Sequence, residues 1–237
     1  MNPEPRTLRS LITSSPFGPP PRKPAQQARY DRILGAAELV LAKFGRPNIT
    51  MANLAIGLEL STSTLRRLVI DMDYLLYLLL SRHLTALLAT LAEIPGNTPD
   101  SHQQRRAAYL AATRAPDGSL NNAHTLLLRD AAHLPEDLRP EIETQRQALA
   151  QALGGENAYL GKQILLLLDD PALTPEDVEK IIPRCEARAT QLAEQQRAWA
   201  AHPTMPAPQP PEPMPFEAWL TDAELEQALG PPRAKAA

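Results

Sequence analysis

Residues 50–69 read TMANLAIGLELSTSTLRRLV, and the order of hydroxyls, leucines and arginines in this stretch decides the fold. Thr50 stands where a helix N-cap belongs, and Met51, Leu54 and Ala55 put apolar side chains on one face of a short helix behind it. A turn through Leu58, Glu59 and Leu60 follows. Ser61 then caps another short helix over residues 62–69, with Leu60, Leu65 and Val69 facing inward. Two short capped helices separated by about three residues have the spacing of a helix-turn-helix.

The flanks extend the pattern. From residue 30 to 44, Ile33, Ala36, Ala37, Val40, Leu41 and Phe44 step by three and four, and Gly45 and Pro47 end the helix they predict. Beyond Asp71, Met72 and Asp73, a long helix begins near Tyr74 with Leu75, Leu76, Leu79, Leu80 and Leu84 along its stripe. Residues 103–114, 120–134, 136–153, 157–169 and 174–200 read as further helices. Leu126 to Leu128 and Ile164 to Leu168 are apolar nearly all round, which predicts deep burial or a subunit contact. Thr174, Pro175, Glu176 and Asp177 make a strong helix start, and Pro183 is expected to kink or split the helix that follows.

Composition agrees with helices. Hydrophobic residues are 43% of the 237, aromatics only 4%, and glycines number 10, so an all-α fold is expected: a three-helix front domain and a larger helical rear domain. The net charge of -3 disfavours coating of nucleic acid by bulk charge. Charge is uneven, however: residues 1–82 hold 11 basic and 6 acidic side chains, and residues 83–237 hold 13 and 21. A basic front and an acidic rear suggest two jobs.

Proline marks the ends. Of 25 prolines, seven lie in residues 1–24 and nine in residues 203–232, so a basic, disordered arm over 1–24 and a stiff linker over 202–214 are expected. After the linker, Thr221 and Glu224 form a capping box for a short amphipathic helix within 215–230 that carries Trp219 and Leu225, read as folding back or docking on a partner. The longest apolar run, residues 74–80, predicts no membrane span. The lone Cys185 excludes an intramolecular disulfide and suits a reducing, cytoplasmic setting.

No nucleophile and base pairing, glycine-rich phosphate loop or metal-ligand spacing is legible. His83, His102, His124, His133 and His202 never fall at the interval a helical zinc pair needs. An enzyme is not expected, and no cofactor or metal is implied.

Against this background the chain resembles the tetracycline-repressor (TetR) family of one-component transcriptional regulators. The matching residues are Arg32-Ile33-Leu34-Gly35-Ala36-Ala37, Gly45, Thr50 with Leu54-Ala55, Leu60-Ser61, Thr64-Leu65, and Asp73 with Leu75-Leu76, in a spacing that needs no gap. The resemblance implies a DNA-binding domain over 25–73 and an effector and dimerisation domain over 74–201, acting as a homodimeric repressor on double-stranded DNA. Departures are also present. Glu59 stands at the family's turn glycine, Ser63 at the glycine of its third helix, and Arg66, Val69 and Met72 replace a tyrosine, a phenylalanine and a lysine.

The residues suited to DNA are Thr50, Ser61, Thr62, Ser63 and Thr64 as hydroxyl donors, with Arg66 and Arg67 as full charges. One copy neutralises few phosphates, so a dimer and the basic residues Arg22, Lys23 and Arg29 are expected to add affinity. The alternative is a helical protein-interaction module that keeps this fold without binding DNA. For the rear, the resemblance implies a dimer contact near Leu165, Leu166, Ile181, Ile182 and Leu192, the other reading being an intramolecular core. Walls of Leu, Ala and Ile would suit a small apolar or amphiphilic effector, with His124, Arg129 or Tyr109 as a polar handle.

Overall fold

In the computed structural model, which describes residues 24–44 and 50–201, the described residues form helices joined by turns, with no strand among them. In order these are α1 (Pro24–Phe44), α2 (Met51–Gly57), α3 (Thr62–Leu68), α4 (Met72–Ala92), α5 (Pro99–Thr113), α6 (Asn122–Ala131), α7 (Arg139–Gly154), α8 (Ala158–Leu168) and α9 (Pro175–Ala201). The all-α class is as expected. The arm, the linker, the helix within 215–230, and Gly45 with Pro47 lie outside the described residues.

Several boundaries differ from the sequence pattern, each for a local reason. Helix α1 begins at Pro24, several residues before the apolar stripe, and Gln27 donates to Asp31 one turn on at 3.2 Å. Helix α5 begins at Pro99 because Thr98 and Ser101 cap each other reciprocally ahead of the apolar face. Helix α7 waits for Pro140 in its first turn, where a missing N–H leaves nothing unpaired. Helix α9 runs unbroken through Pro183, so the expected split does not occur. Pro183 is exposed, and the carbonyl of Glu179 that it cannot serve is on an exposed residue where water can take its place.

Helix α4 is the centre. Leu75, Leu76, Tyr77, Leu78, Leu79 and Leu80 are all buried, so this helix is covered on every side rather than along a stripe. Helices α1, α5, α6 and α7 supply the cover. By length and composition α4 would suffice to cross a bilayer, but its leucines are packed among those helices. A single connected core runs from Tyr30 in α1 to Cys185 in α9. Burial, and then Glu186 beside it, push the Cys185 thiol up to about 12, which keeps it a protonated, apolar packing group.

That core absorbs most of the residues expected at a dimer contact. Leu165, Ile181 and Ile182 are 5%, 2% and 2% exposed within one chain, so they hold the monomer together and do not face a partner. The intramolecular alternative applies to these three. Leu166 stays exposed and Leu192 half-buried.

The tightest crossing is that of α7 and α8. A Cβ on Gly161 would fall on the carbonyl of Ala150, and one on Gly154 would fall on the backbone of Gly161. Both neighbours are helix backbone and cannot give way, so Gly161→Ala should destabilise the protein by about 2–3 kcal/mol. Urea or thermal unfolding measures this, with Gln151→Ala, on the exposed side of α7, as the control that changes little.

Candidate nucleic-acid interface

Both caps form as their residue types require. Thr50 Oγ1 accepts the N–H of Asn53 at 3.1 Å to start α2, and Ser61 Oγ accepts the N–H of Thr64 at 3.1 Å to start α3. Between them α2 closes in a Schellman motif. The Leu60 N–H reaches the Ala55 carbonyl at 2.9 Å and the Glu59 N–H the Ile56 carbonyl at 3.1 Å. This pattern places Glu59 at φ 54, a left-handed conformation that favours glycine. The turn therefore keeps its geometry in spite of the substitution, with Glu59 carrying the strain.

Inside the unit, Leu54, Ala55, Leu58, Leu65 and Val69 are buried with Ile33, Leu34 and Ala37 of α1. Outside it, Thr62, Ser63, Arg66 and Arg67 are exposed on α3, so no other part of the described chain walls this face in. The seven sequence-predicted residues divide by role. Thr50 and Ser61 shape helix starts. Thr64, half-buried, and Ser63 lie 2.8 Å and 3.0 Å from the Ser61 hydroxyl and brace it. Arg66 and Arg67 make no hydrogen bond or ion pair among the described residues, so their donors face solvent. On α1, Arg29, Arg32 and Lys43 are also exposed, while Arg22, Lys23 and Arg46 lie outside the described residues.

Three exposed apolar side chains escaped the sequence reading. Leu39 of α1, Ile56 of α2 and Ile70 just after α3 are 73%, 76% and 67% exposed. Helical periodicity accounts for the position of Leu39 and Ile56 off the inward stripe but not for their being apolar, and Ile70 lies between helices α3 and α4.

In the rear, the residues considered as an effector handle are otherwise engaged. Tyr109 and His124 are each 1% exposed, and both bind Asp169 at the end of α8. The Tyr109 hydroxyl donates to Asp169 Oδ1 at 2.6 Å, and His124 Nε2 lies 3.0 Å from the same oxygen. His124 Nδ1 lies 2.7 Å from His83 Nε2. If His124 gives its Nε2 proton to the carboxylate, its Nδ1 accepts from His83, which leaves His83 Nδ1 as the open end of the chain. Arg146 Nη2 stands 3.6 Å from Asp169 Oδ2, an ionic contact. Five helices thus meet at one polar cluster. Burial, then the Asp169 carboxylate, hold the Tyr109 phenol well above its ordinary value, so it remains a donor.

Two clefts open beside this cluster, and Arg146 lines both. One, of about 560 Å³, lies between α6 and α7 with Leu128, Leu134 and Ile142 among its walls. The other, of about 280 Å³, lies between α7 and α8 beside Leu165 and Leu166. Neither is lined by His124, Tyr109 or Arg129; Arg139, Glu143 and Arg146 are the polar lining of the first and Glu143, Arg146, Gln147 and Lys162 that of the second, so Arg146 is the one that links a cleft to Asp169. Nothing in the local sequence around Arg146 singles it out, because its role comes from an approach to Asp169 across the bundle.

Two outcomes follow. Glu59→Gly relieves the left-handed strain and should raise stability by about 1 kcal/mol, read as a rise of a few degrees in Tm. Burial, and then His124, hold His83 down at about 4 against the opposing pull of Asp169. Arg146 and the Tyr109 hydroxyl also meet at Asp169. Between that value and the ordinary 6.5, the unfolded chain takes up a proton that the folded chain refuses. Stability is thus full above the upper value and should fall by about 3 kcal/mol as pH drops to the lower one. Denaturant titrations across that window should show the loss, and His83→Gln should flatten it. No family model matches this chain, and a search of curated proteins found no match either.

Proposed function

We propose that this protein is a sequence-specific DNA-binding transcriptional regulator of the TetR type, working as a ligand-responsive homodimeric repressor. The observation that carries the reading is the α2 and α3 pair. Two capped helices are joined by a Schellman turn held even at the cost of a left-handed Glu59, and the second helix presents Thr62, Ser63, Arg66 and Arg67 outward. In this reading α3 enters the major groove, Thr62 and Ser63 meet base edges, and Arg66 and Arg67 meet phosphates. A two-fold operator then asks for a two-fold protein. Of the residues expected at the dimer contact, Leu166, exposed on α8, and Leu192, half-buried on α9, are left for the second copy.

Responsiveness is supported by the rear. A ligand in the cleft walled by Leu128, Leu134 and Ile142 would touch Arg146, which pairs with Asp169, which is tied through His124 to His83 on α4. Because α1 packs on both α4 and α6, a displacement there reaches the front helices. The ligand acts only insofar as it prefers one arrangement over the other.

A second reading, a protein-interaction module without DNA binding, is favoured by Ile56 and Ile70, exposed apolar residues beside α3 where a DNA-facing surface would gain from charge. One experiment separates the two. Genomic fragments selected by the purified protein should share a palindrome, and binding should weaken steeply with salt. Arg66→Ala with Arg67→Ala should cut affinity by roughly tenfold or more and flatten the log-log salt slope by about 0.9 for each phosphate no longer neutralised. Unselective capture, or a slope unmoved by both changes, would favour the module.

A further inference from the structure

Three arginines lie along α5 and its C-cap, and the fold treats one of them differently. Arg105 donates to the carbonyls of Ala152, Ile94 and Gly96. Arg114 donates to those of Gly118, Leu173, Leu168 and Asp170. Each ties loop ends and helix ends together and has an evident structural task. Arg106 is only 8% exposed, yet its guanidinium makes no hydrogen bond among the described residues. Its Nε is buried without an acceptor, as are those of Arg105 and Arg114, but here Nη1 too has only an ionic contact, 3.8 Å from Glu186 Oε1 and too long for a hydrogen bond.

A guanidinium has five N–H donors, and of the three Arg106 nitrogens only Nε is buried outright, so the donors on Nη1 and Nη2 keep some access to solvent without a hydrogen-bond acceptor among the described residues. Arg106 lines a cleft of about 470 Å³ between α5, the start of α8 and α9. That volume lies in the range of small-molecule sites, roughly 300–1,000 Å³. Gln103, Asn157 and Thr190 line the same cleft as neutral polar groups, and Leu160 and Ala189 give it an apolar side. Asn157 commits its side-chain oxygen to the N–H of Leu160, which leaves its amide donors for the cleft. His102 sits at the edge, where burial, and then Arg105 and Arg106, disfavour its charged form. Arg106 is therefore the positive charge of this site.

We propose that the cleft binds a small ligand through a carboxylate, which seats on Arg106 in place of Glu186. The chemistry points to a carboxylate for three reasons. The guanidinium fork matches its two oxygens, giving short parallel bonds that the present ion pair lacks. Glu186, 49% exposed along its side chain, already shows which group Arg106 attracts and is free to swing into solvent. Asp100 and Glu186, both on the lining, repel a dianion such as phosphate more than a monoanion. The ligand body would be short and amide-like or hydroxylated, to meet Gln103, Asn157 and Thr190. No residue of α1 to α3 takes part, so this site stands or falls independently of DNA binding.

The test is a titration of the full chain, followed by NMR chemical shifts and calorimetry. The probes are N-acetylglycine (a carboxylate with an amide), acetate (the carboxylate alone) and inorganic phosphate. Saturable binding in the order N-acetylglycine, acetate, phosphate is expected, with shifts centred on Arg106 and Thr190. Arg106→Gln should weaken N-acetylglycine by about tenfold or more, a change of about 1.4 kcal/mol in binding free energy. Glu186→Gln removes an exposed competitor and should tighten binding severalfold, so the proposal can be judged even if Arg106→Gln fails to fold. Non-saturating shifts, equal binding by Arg106→Gln, phosphate preferred over acetate, or weaker binding in Glu186→Gln would overturn it, leaving an adventitious ion only. A change of oligomeric state in either variant, with probe binding unaltered, would also overturn it by showing that a second copy covers this face.

Discussion

The arrangement of this molecule follows from the burial of α4. A helix with Leu75 to Leu80 buried on every side cannot stand at a surface, so other helices must close around it. Helices α1, α5, α6 and α7 do so, and the remaining elements attach to them. The front and rear of the chain consequently share one core. The larger contacts between them are those of α1 with α4 and with α6.

Leucine packing alone would leave the register of α4 loosely specified, since one leucine surface resembles another. Polar pairs add the directional constraint. Tyr77 donates to Glu141 at 2.6 Å, and Gln145 donates to Ser81 at 3.0 Å and to Thr85 at 3.2 Å, aligning α4 with α7 at successive turns. His83, further along the same helix, joins the cluster of His124, Asp169, Tyr109 and Arg146. Such networks are costly when partly satisfied, and this one leaves Asp169 Oδ2 without a hydrogen bond. One of the unsatisfied buried polar atoms of the rear domain thus lies beside the clefts that Arg146 lines.

Local signals were legible wherever the physics was local. Thr50, Ser61 and Thr174 cap helices as hydroxyls ahead of apolar runs do, and Thr174 and Asp177 bond each other reciprocally at 3.2 Å. The turn at Glu59 was placed correctly, with the strain that a side chain brings there. Pro183 misled because the penalty of a proline within a helix depends on whether the unserved carbonyl can meet water, and exposure is a property of the fold. The run from Ile164 to Leu168 marked burial but not its partner, which turned out to be the chain's own α7.

By itself, then, the sequence determined the helical class, the two capped helices with their turn, and the outward set of Thr62, Ser63, Arg66 and Arg67, because each depends on contacts within a few residues. Tertiary structure alone decided that Leu165, Ile181 and Ile182 face inward, that His124 and Tyr109 converge on Asp169, and that Arg106 is largely buried with Glu186 as a long ionic contact. Those outcomes depend on which helix faces meet. That choice rests on close approaches such as the one at Gly161, where two backbones touch and no residue-by-residue pattern records the partner.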